Sequence, residues 1–294
     1  MSQQFLVDIA DTFKTYIYEN NRKLVATSAT LTVYKPGSTT KLLDGVAMTV
    51  AADGLLSYSL AATHNDIADE NYKAVVAYVS GGTTYYTTLF YDIVNAKLSK
   101  VITDDDIINE LPQLRDNGGK ARGTATSGST TTIVDMELSN YEDDYFTGGM
   151  AYSITRDETR EITDFVKSTG TVTTAAFSAP ITTDKYILTR SFTKEIQRAF
   201  EKLEDLLKQA GRRAHLVLDP YDLREVHITM SVAEVCKGFM TVSDTGIWSD
   251  LWKVYDKRGY AMFKSLNLKY DDSDDGYISG AEEGRRVNRT SGRA

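Results

Sequence analysis

The sequence predicts an α+β multidomain chain in which two β-rich segments precede a helical one. Three observations carry the prediction. Apolar and polar residues alternate with period two through much of the first 190 positions, and beyond them the spacing becomes helical. Turn pairs built on glycine, such as Pro36-Gly37, Asp53-Gly54 and Gly81-Gly82, separate the alternating runs. The 294 residues, 41% of them hydrophobic, exceed the comfortable span of one core, so two or three are expected.

Residues 1–97 read as strands. "FKTYIYE" alternates, as do "ATLTVY" through Ala29, Leu31 and Val33, "VAMTV" through Val46, Met48 and Val50, and "LLSYSL" through Leu56, Tyr58 and Leu60. Gly81-Gly82 joins "YKAVVAYV" to "TTYYTTLFYDIV" as a hairpin. Short strands at this spacing predict a small sandwich of the immunoglobulin-like (Ig-like) kind. Tyrosine and threonine dominate the strands, which suits half-exposed pleated surfaces and equally a protein-binding face.

Residues 98–119 predict a short helical linker. Thr103 or Asp104 caps it, carboxylates fill its first turn where the helix dipole favours them, and Ile107, Ile108 and Leu111 share a face before Pro112 and Gly118-Gly119 end it. Residues 120–190 return to strands, "RGTAT", "STTTIVD", "GMAYSITR", "REITDFVKS", "TVTTAAF" and "KYILTR", with turns at Ser127-Gly128, Gly148-Gly149 and Thr169-Gly170. They predict a small β-barrel or sandwich with a modest core that leans on its neighbours.

Residues 191–270 predict three helices. Ile196, Phe200, Leu203, Leu207 and Ala210 stripe the first, which stops at Gly211. Asp219 caps the second with Pro220 at its first position, and Leu223, Val226, Met230, Ala233 and Phe239 form its stripe. The third runs from about Trp248 to Leu266, interrupted by Gly259, which implies a close neighbour or a bend.

Composition narrows the chemistry. A net charge of −8 argues against gripping nucleic acid, where affinity comes from Lys and Arg displacing counterions. Cys236 is the sole cysteine, so no internal disulfide forms, and it reads as a small buried hydrophobe. No apolar run has transmembrane length, and "MSQQFLVDIADTF" lacks a basic segment followed by an apolar one, so neither a membrane span nor a usual secretory signal is expected. No phosphate loop, GxGxxG, GxSxG or HExxH occurs. His64, His215 and His227 are expected at the surface or an interface, since no spacing supplies a catalytic partner. The expectation is a chain that is not an enzyme.

One motif stands out, "YDDSDDGYISGAEE" at 270–283. Counted from Asp271, the oxygen-bearing positions of an EF-hand loop fall on Asp271, Ser273, Asp275, Tyr277 (through its carbonyl), Ser279 and Glu282, with Gly276 at the sharp turn. A hard cation needs this alternation of short oxygen donors closed by a two-oxygen glutamate. The following "AEEGRRVNRT" has no apolar stripe for an exit helix, so a sensor that opens a groove is not expected. The loop is either a structural calcium site or a cation-free acidic turn, its six carboxylates between 271 and 284 neutralised by Arg285, Arg286, Arg289 and Arg293.

The middle stretches "RGTATSGSTTTIVD" and "DDYFTGGMAYSITRDETREITDFVKSTGTVT" resemble the small β domain of many tailed-bacteriophage neck and tail-attachment proteins. The final third, with "DLWKVYDKRGYAMFKSLNLKYD" and the DxSxDG loop, resembles phage head-tail connector (adaptor) proteins, and the first segment is similar to Ig-like domains that phages append to structural proteins. The likeness covers most of the chain, on loose motifs, and its β part extends to baseplate proteins. It implies a ring of about twelve subunits, docked to the portal protein through a helical adaptor domain (191–270) and the 271–294 tail, with tail-terminator or nozzle proteins below and DNA passing unread through the lumen. The place implied is the virion neck, assembled in the host cytoplasm. An acidic conduit wall fits, since a basic lining would hold the genome by its phosphates. Arg285, Arg286, Arg289 and Arg293 then anchor to acidic portal or neighbour surfaces rather than to DNA, or form a solvated tail. Two other classes stay open: a tail, baseplate or decoration protein, and a calcium-stabilised module whose tyrosine-rich face binds a host surface.

Overall fold

The computed structural model describes residues 3–114, 119–240, 246–274 and 277. The chain is mostly β-sheet with a smaller helical part and divides into two compact units. The first is Met1–Ser99 joined by Arg212–Leu218 and Tyr270–Ser279. The second, among the described residues, is Lys100–Gly211 and Asp219–Lys269.

The first unit is a two-sheet sandwich. One sheet has the order β1 (Gln3–Leu6), β9 (Thr83–Val94), β8 (Asp69–Ser80), β4 (Ser28–Tyr34), β5 (Lys41–Ala47). The other has the order β3 (Arg22–Leu24), β2 (Asp11–Glu19), β7 (Leu55–Leu60), β6 (Thr49–Val50). Alternation sends Leu31, Val33, Ala74, Val76 and Ile93 of the first sheet and Phe13, Ile17, Leu56 and Leu60 of the second into one core. Each such fully buried aliphatic or aromatic side chain contributes about 1.5–3 kcal/mol. Tyr91 sits at the centre, its ring 5.1 Å from Phe5, 5.9 Å from Phe13 and 5.3 Å from Tyr72. Gly81 and Gly82 take φ of 56° and 78°, the left-handed pair a two-residue hairpin needs. Asn20-Asn21 does the same between β2 and β3 at 49° and 62°, a turn the sequence reading passed over.

The expected single strand "VAMTV" is two. β5 ends at Ala47 and β6 begins at Thr49 in the opposite sheet, while Met48 donates its N–H to Ala29 and buries its side chain in the core. The irregular register of β5 against β4 bends the strand before the crossing.

In the second unit, the strands run β10 (Lys120–Thr124), β16 (Lys185–Thr189), β13 (Met150–Ser153), β14 (Glu158–Val166), β15 (Thr171–Thr174), β12 (Thr132–Val134), β11 (Ser127–Gly128). The two ends of this order are neighbours in the chain. Between them Ala125 N–H bonds Asp184 on one side and Thr126 N–H bonds Val134 on the other, at 3.0 and 2.8 Å, so the sheet closes into a barrel. Ile133, Phe146, Ala151, Ile162, Phe165, Val172 and Leu188 fill it. The buried Tyr186 hydroxyl donates to Asp135 at 2.6 Å, and Asp135 also accepts from Glu137 N–H.

Among the described residues, four α-helices complete the unit: α1 (Asp104–Glu110), α2 (Thr193–Gln209), α3 (Arg224–Phe239) and α4 (Ile247–Ser265). α1 is more than a linker. Ile107, Leu111 and Leu114 enter the same core as Phe192, Ile196, Ile228, Val232 and Cys236, and Asp104 accepts from Phe192 N–H at 3.0 Å. Two of the three aspartates thus have structural partners, Asp104 in that bond and Asp106 in a capping box with Thr103 and in an ion pair with Arg224. α3 was expected to bury one stripe, yet it is covered on nearly every side from Val226 to Cys236, because α1, α2 and α4 all pack on it. Asp219 caps a 3-10 turn, Pro220–Leu223, that leads into it. At Gly259 the close neighbour is α3: a β-carbon there would lie 2.9 Å from Met230 Cγ.

Candidate functional site

Two short segments, expected within the 191–270 helical block and the 271–294 tail, instead belong with the sandwich. Val217 and Tyr270 form an antiparallel bridge, Asp271 N–H donates to Leu216 at 2.9 Å, and Arg213 N–H donates to the Tyr270 hydroxyl at 3.1 Å. The Arg212 guanidinium lies over the Tyr270 ring, 4.3 Å from its centroid.

Arg213 ties this pair of segments to the long hairpin. Its guanidinium reaches Glu70 on β8 at 2.7 Å and Asp92 on β9 at 3.3 Å, and Asp92 accepts from Asn71 N–H with its other oxygen. His215, expected at the surface or an interface, is buried, because the 3-10 turn Ala214–Leu216 is folded inward. Its Nδ1 accepts from the Gln4 side-chain amide at 3.3 Å, which places the ring proton on Nε2, 3.6 Å from Glu70. Burial lowers the His215 pKa against the opposing pull of Asp274 and Asp92. Burial raises that of Glu70, outweighing Arg213. This constellation is an ionic clasp.

The start of the acidic loop enters the same unit. Asp271 is 1% exposed, and its Oδ1 accepts from Ser273 N–H and Oγ–H at 3.1 and 3.2 Å. Tyr277 is exposed. Asp275, Ser279 and Glu282, the rest of the candidate calcium set, lie outside the described residues, as do Arg285, Arg286, Arg289 and Arg293. Among the described residues no three His, Cys, Asp or Glu side chains are grouped to hold a metal.

Cys236 and His227 belong to the second unit and His64 to the first. Cys236 is fully buried and its thiol is pushed up to about 11 by that burial, which removes it as a nucleophile at neutral pH. His227, also expected at the surface or an interface, is buried in α3, its Nε2–H donating to the Ile196 carbonyl at 3.0 Å, and burial lowers its pKa. His64 is half-exposed and its Nδ1 accepts from Ala61 N–H. α4 is unusual in another way. Trp248, Leu251, Trp252 and Tyr255 are only half-buried against the helical core, while Ile247 and Val254 are more than 60% exposed.

The sequence reading missed Gln4, Glu70, Asp92 and Arg213. They are spread over more than 200 positions and share no period, so no sequence pattern announces them; the Arg212-Arg213 pair after the helix stop at Gly211 is the one local sign.

No protein-family description matches this chain, and no curated protein matches it. Among solved structures it is similar to a chimeric titin Z1Z2 functionalized with a KLER exogenous peptide from decorin. The identity is 12% over 64% of this chain and 85% of the other, with a TM-score of 0.21, a likeness that carries no argument about fold or function. No helix among the described residues is long and apolar enough to cross a membrane.

Proposed function

We propose that this chain is a structural virion protein of a tailed bacteriophage, forming a ring in the neck that docks to the portal and joins head to tail while leaving a channel for DNA. Its amino-terminal sandwich is an appended Ig-like domain, and the chain has no catalytic role. The observation that carries the reading is α4. Two tryptophans, a leucine and a tyrosine are left half-covered along a helix whose Ile247 and Val254 are open, as expected of an element completed by assembly. The resemblance of 250–271 to connector proteins names the assembly. Negative-stain imaging of the purified protein with and without portal tests it. Rings or portal-bound collars are expected, and their loss in Trp252→Glu with an unchanged circular-dichroism spectrum ties them to α4. Isolated particles under both conditions reject the reading.

A further inference from the structure

The sandwich has four sheet edges, and three are blunted. β5 carries Lys41 and Asp44 and is irregular in register, β3 is three residues long with Arg22 and Lys23, and β6 is two residues long. The fourth is different. β1 covers β9 only along Tyr91–Val94, so among the described residues Thr83 to Phe90 has β8 on one side and no strand on the other. This stretch, "TTYYTTLF", has no charge and no proline, and its pairing with β8 is regular.

The hairpin decides which groups face outward. A two-residue loop makes Ser80 and Thr83 a hydrogen-bonded pair, and such pairs alternate along an antiparallel ladder. The N–H and C=O of Thr83, Tyr85 and Thr87 therefore serve β8, and those of Thr84, Tyr86 and Thr88 point to the open edge. The same three residues put exposed side chains on the outer face, Tyr86 at 72%. Thr-Tyr-Thr reads identically in both directions.

We propose that this edge pairs with the same edge of a second copy of the chain, antiparallel about a two-fold axis at Tyr86. Tyr86 then faces Tyr86 of the second copy and Thr84 faces its Thr88, so every outward donor meets an acceptor. A one-residue slip would set outward groups against groups already bonded to β8, which confines the register to steps of two. Facing Thr–Thr and Tyr–Tyr pairs are favourable across strands, and an uncharged seam lets two chains of net charge −8 meet without like charges opposed along it. The contact closes on two copies and cannot by itself propagate a ring, so it goes beyond the neck reading and does not depend on it.

Cysteine cross-linking of the full chain tests the register, since Cys236 is buried. Tyr86→Cys should give a covalent dimer under mild oxidation, because opposed residues of a hydrogen-bonded pair stand about 5.5 Å apart at Cα, within disulfide reach. Thr84→Cys lies four residues out of register with its mate and should give roughly tenfold less, and adding Thr88→Cys to it should restore the product. Tyr86→Pro removes an outward N–H without touching the bonds to β8 and should raise the dimer Kd roughly tenfold in sedimentation equilibrium. Equal cross-linking of Tyr86→Cys and Thr84→Cys, or unchanged association of Tyr86→Pro, overturns the proposal, including in favour of a foreign strand at the edge. Rings without the Tyr86→Cys dimer would sink it alone; dimers without rings would sink only the neck reading.

Discussion

The barrel and the sandwich are both built from threonine-rich strands but dispose of their edges differently. In the barrel, Ala125 and Thr126 carry one continuous stretch of chain from β16 to β12, so the first and last strands close the sheet. In the sandwich the sheets stay open, and edges are managed by charge, shortness and bulges everywhere except along Thr83 to Phe90. Closure satisfies the backbone internally and demands tight geometry; openness tolerates variation and leaves a surface to be used.

That contrast can be broken first at the barrel's glycines. A β-carbon on Gly149 would run into the backbone of Thr189, where nothing flexible can yield, so Gly149→Ala should cost about 3 kcal/mol or more in urea denaturation. In the sandwich, Gly54→Ala combines a φ of 84° with a 2.8 Å approach to the Leu24 carbonyl at a turn that can shift, and should cost about 1–2 kcal/mol. Equal losses would mean that closure imposes no special demand.

Asp135→Ala should come next, at about 2–3 kcal/mol. It strands the buried Tyr186 hydroxyl, whose ionisation burial already suppresses, and uncaps the turn at Glu137. Denaturation by tyrosine fluorescence checks it, and a loss below half that figure would mean the cross-barrel bond is dispensable.

His227 is a reference outside both β regions. Its folded pKa lies below the ordinary 6.5 because of burial, so the neutral ring favours the folded state. That contribution is complete above pH 6.5 and is lost as pH falls below it, by at most about 1.4 kcal/mol per pH unit. His227→Gln should flatten the difference between wild type at pH 7.5 and 5.5; an unaltered slope would assign it to other groups. The smallest effect belongs to the exposed Lys41–Asp44 pair on β5. Replacing both with threonine should leave stability in urea denaturation unchanged within error. It should nevertheless promote concentration-dependent association, measured by light scattering, if charge is what keeps that edge single.

Much of the architecture was legible because it is written locally. Alternation in "ATLTVY" put Ala29, Leu31 and Val33 inside, Gly81-Gly82 marked the hairpin, Thr103 or Asp104 with carboxylates in the first turn marked the start of α1, and helical spacing marked Ile196 to Leu207. Each of these is a property of a few consecutive residues responding to backbone sterics and to water on one side. The sequence by itself therefore determined which segments are strands and helices and which of their faces are apolar. Only the tertiary structure decided that the middle sheet closes, that the chain crosses sheets at Met48, that His215 and His227 are buried, and that Arg213 joins Glu70 and Asp92. Those outcomes depend on which distant surfaces meet, and burial, closure and ion pairing are settled by the partner across the gap, which no local pattern names.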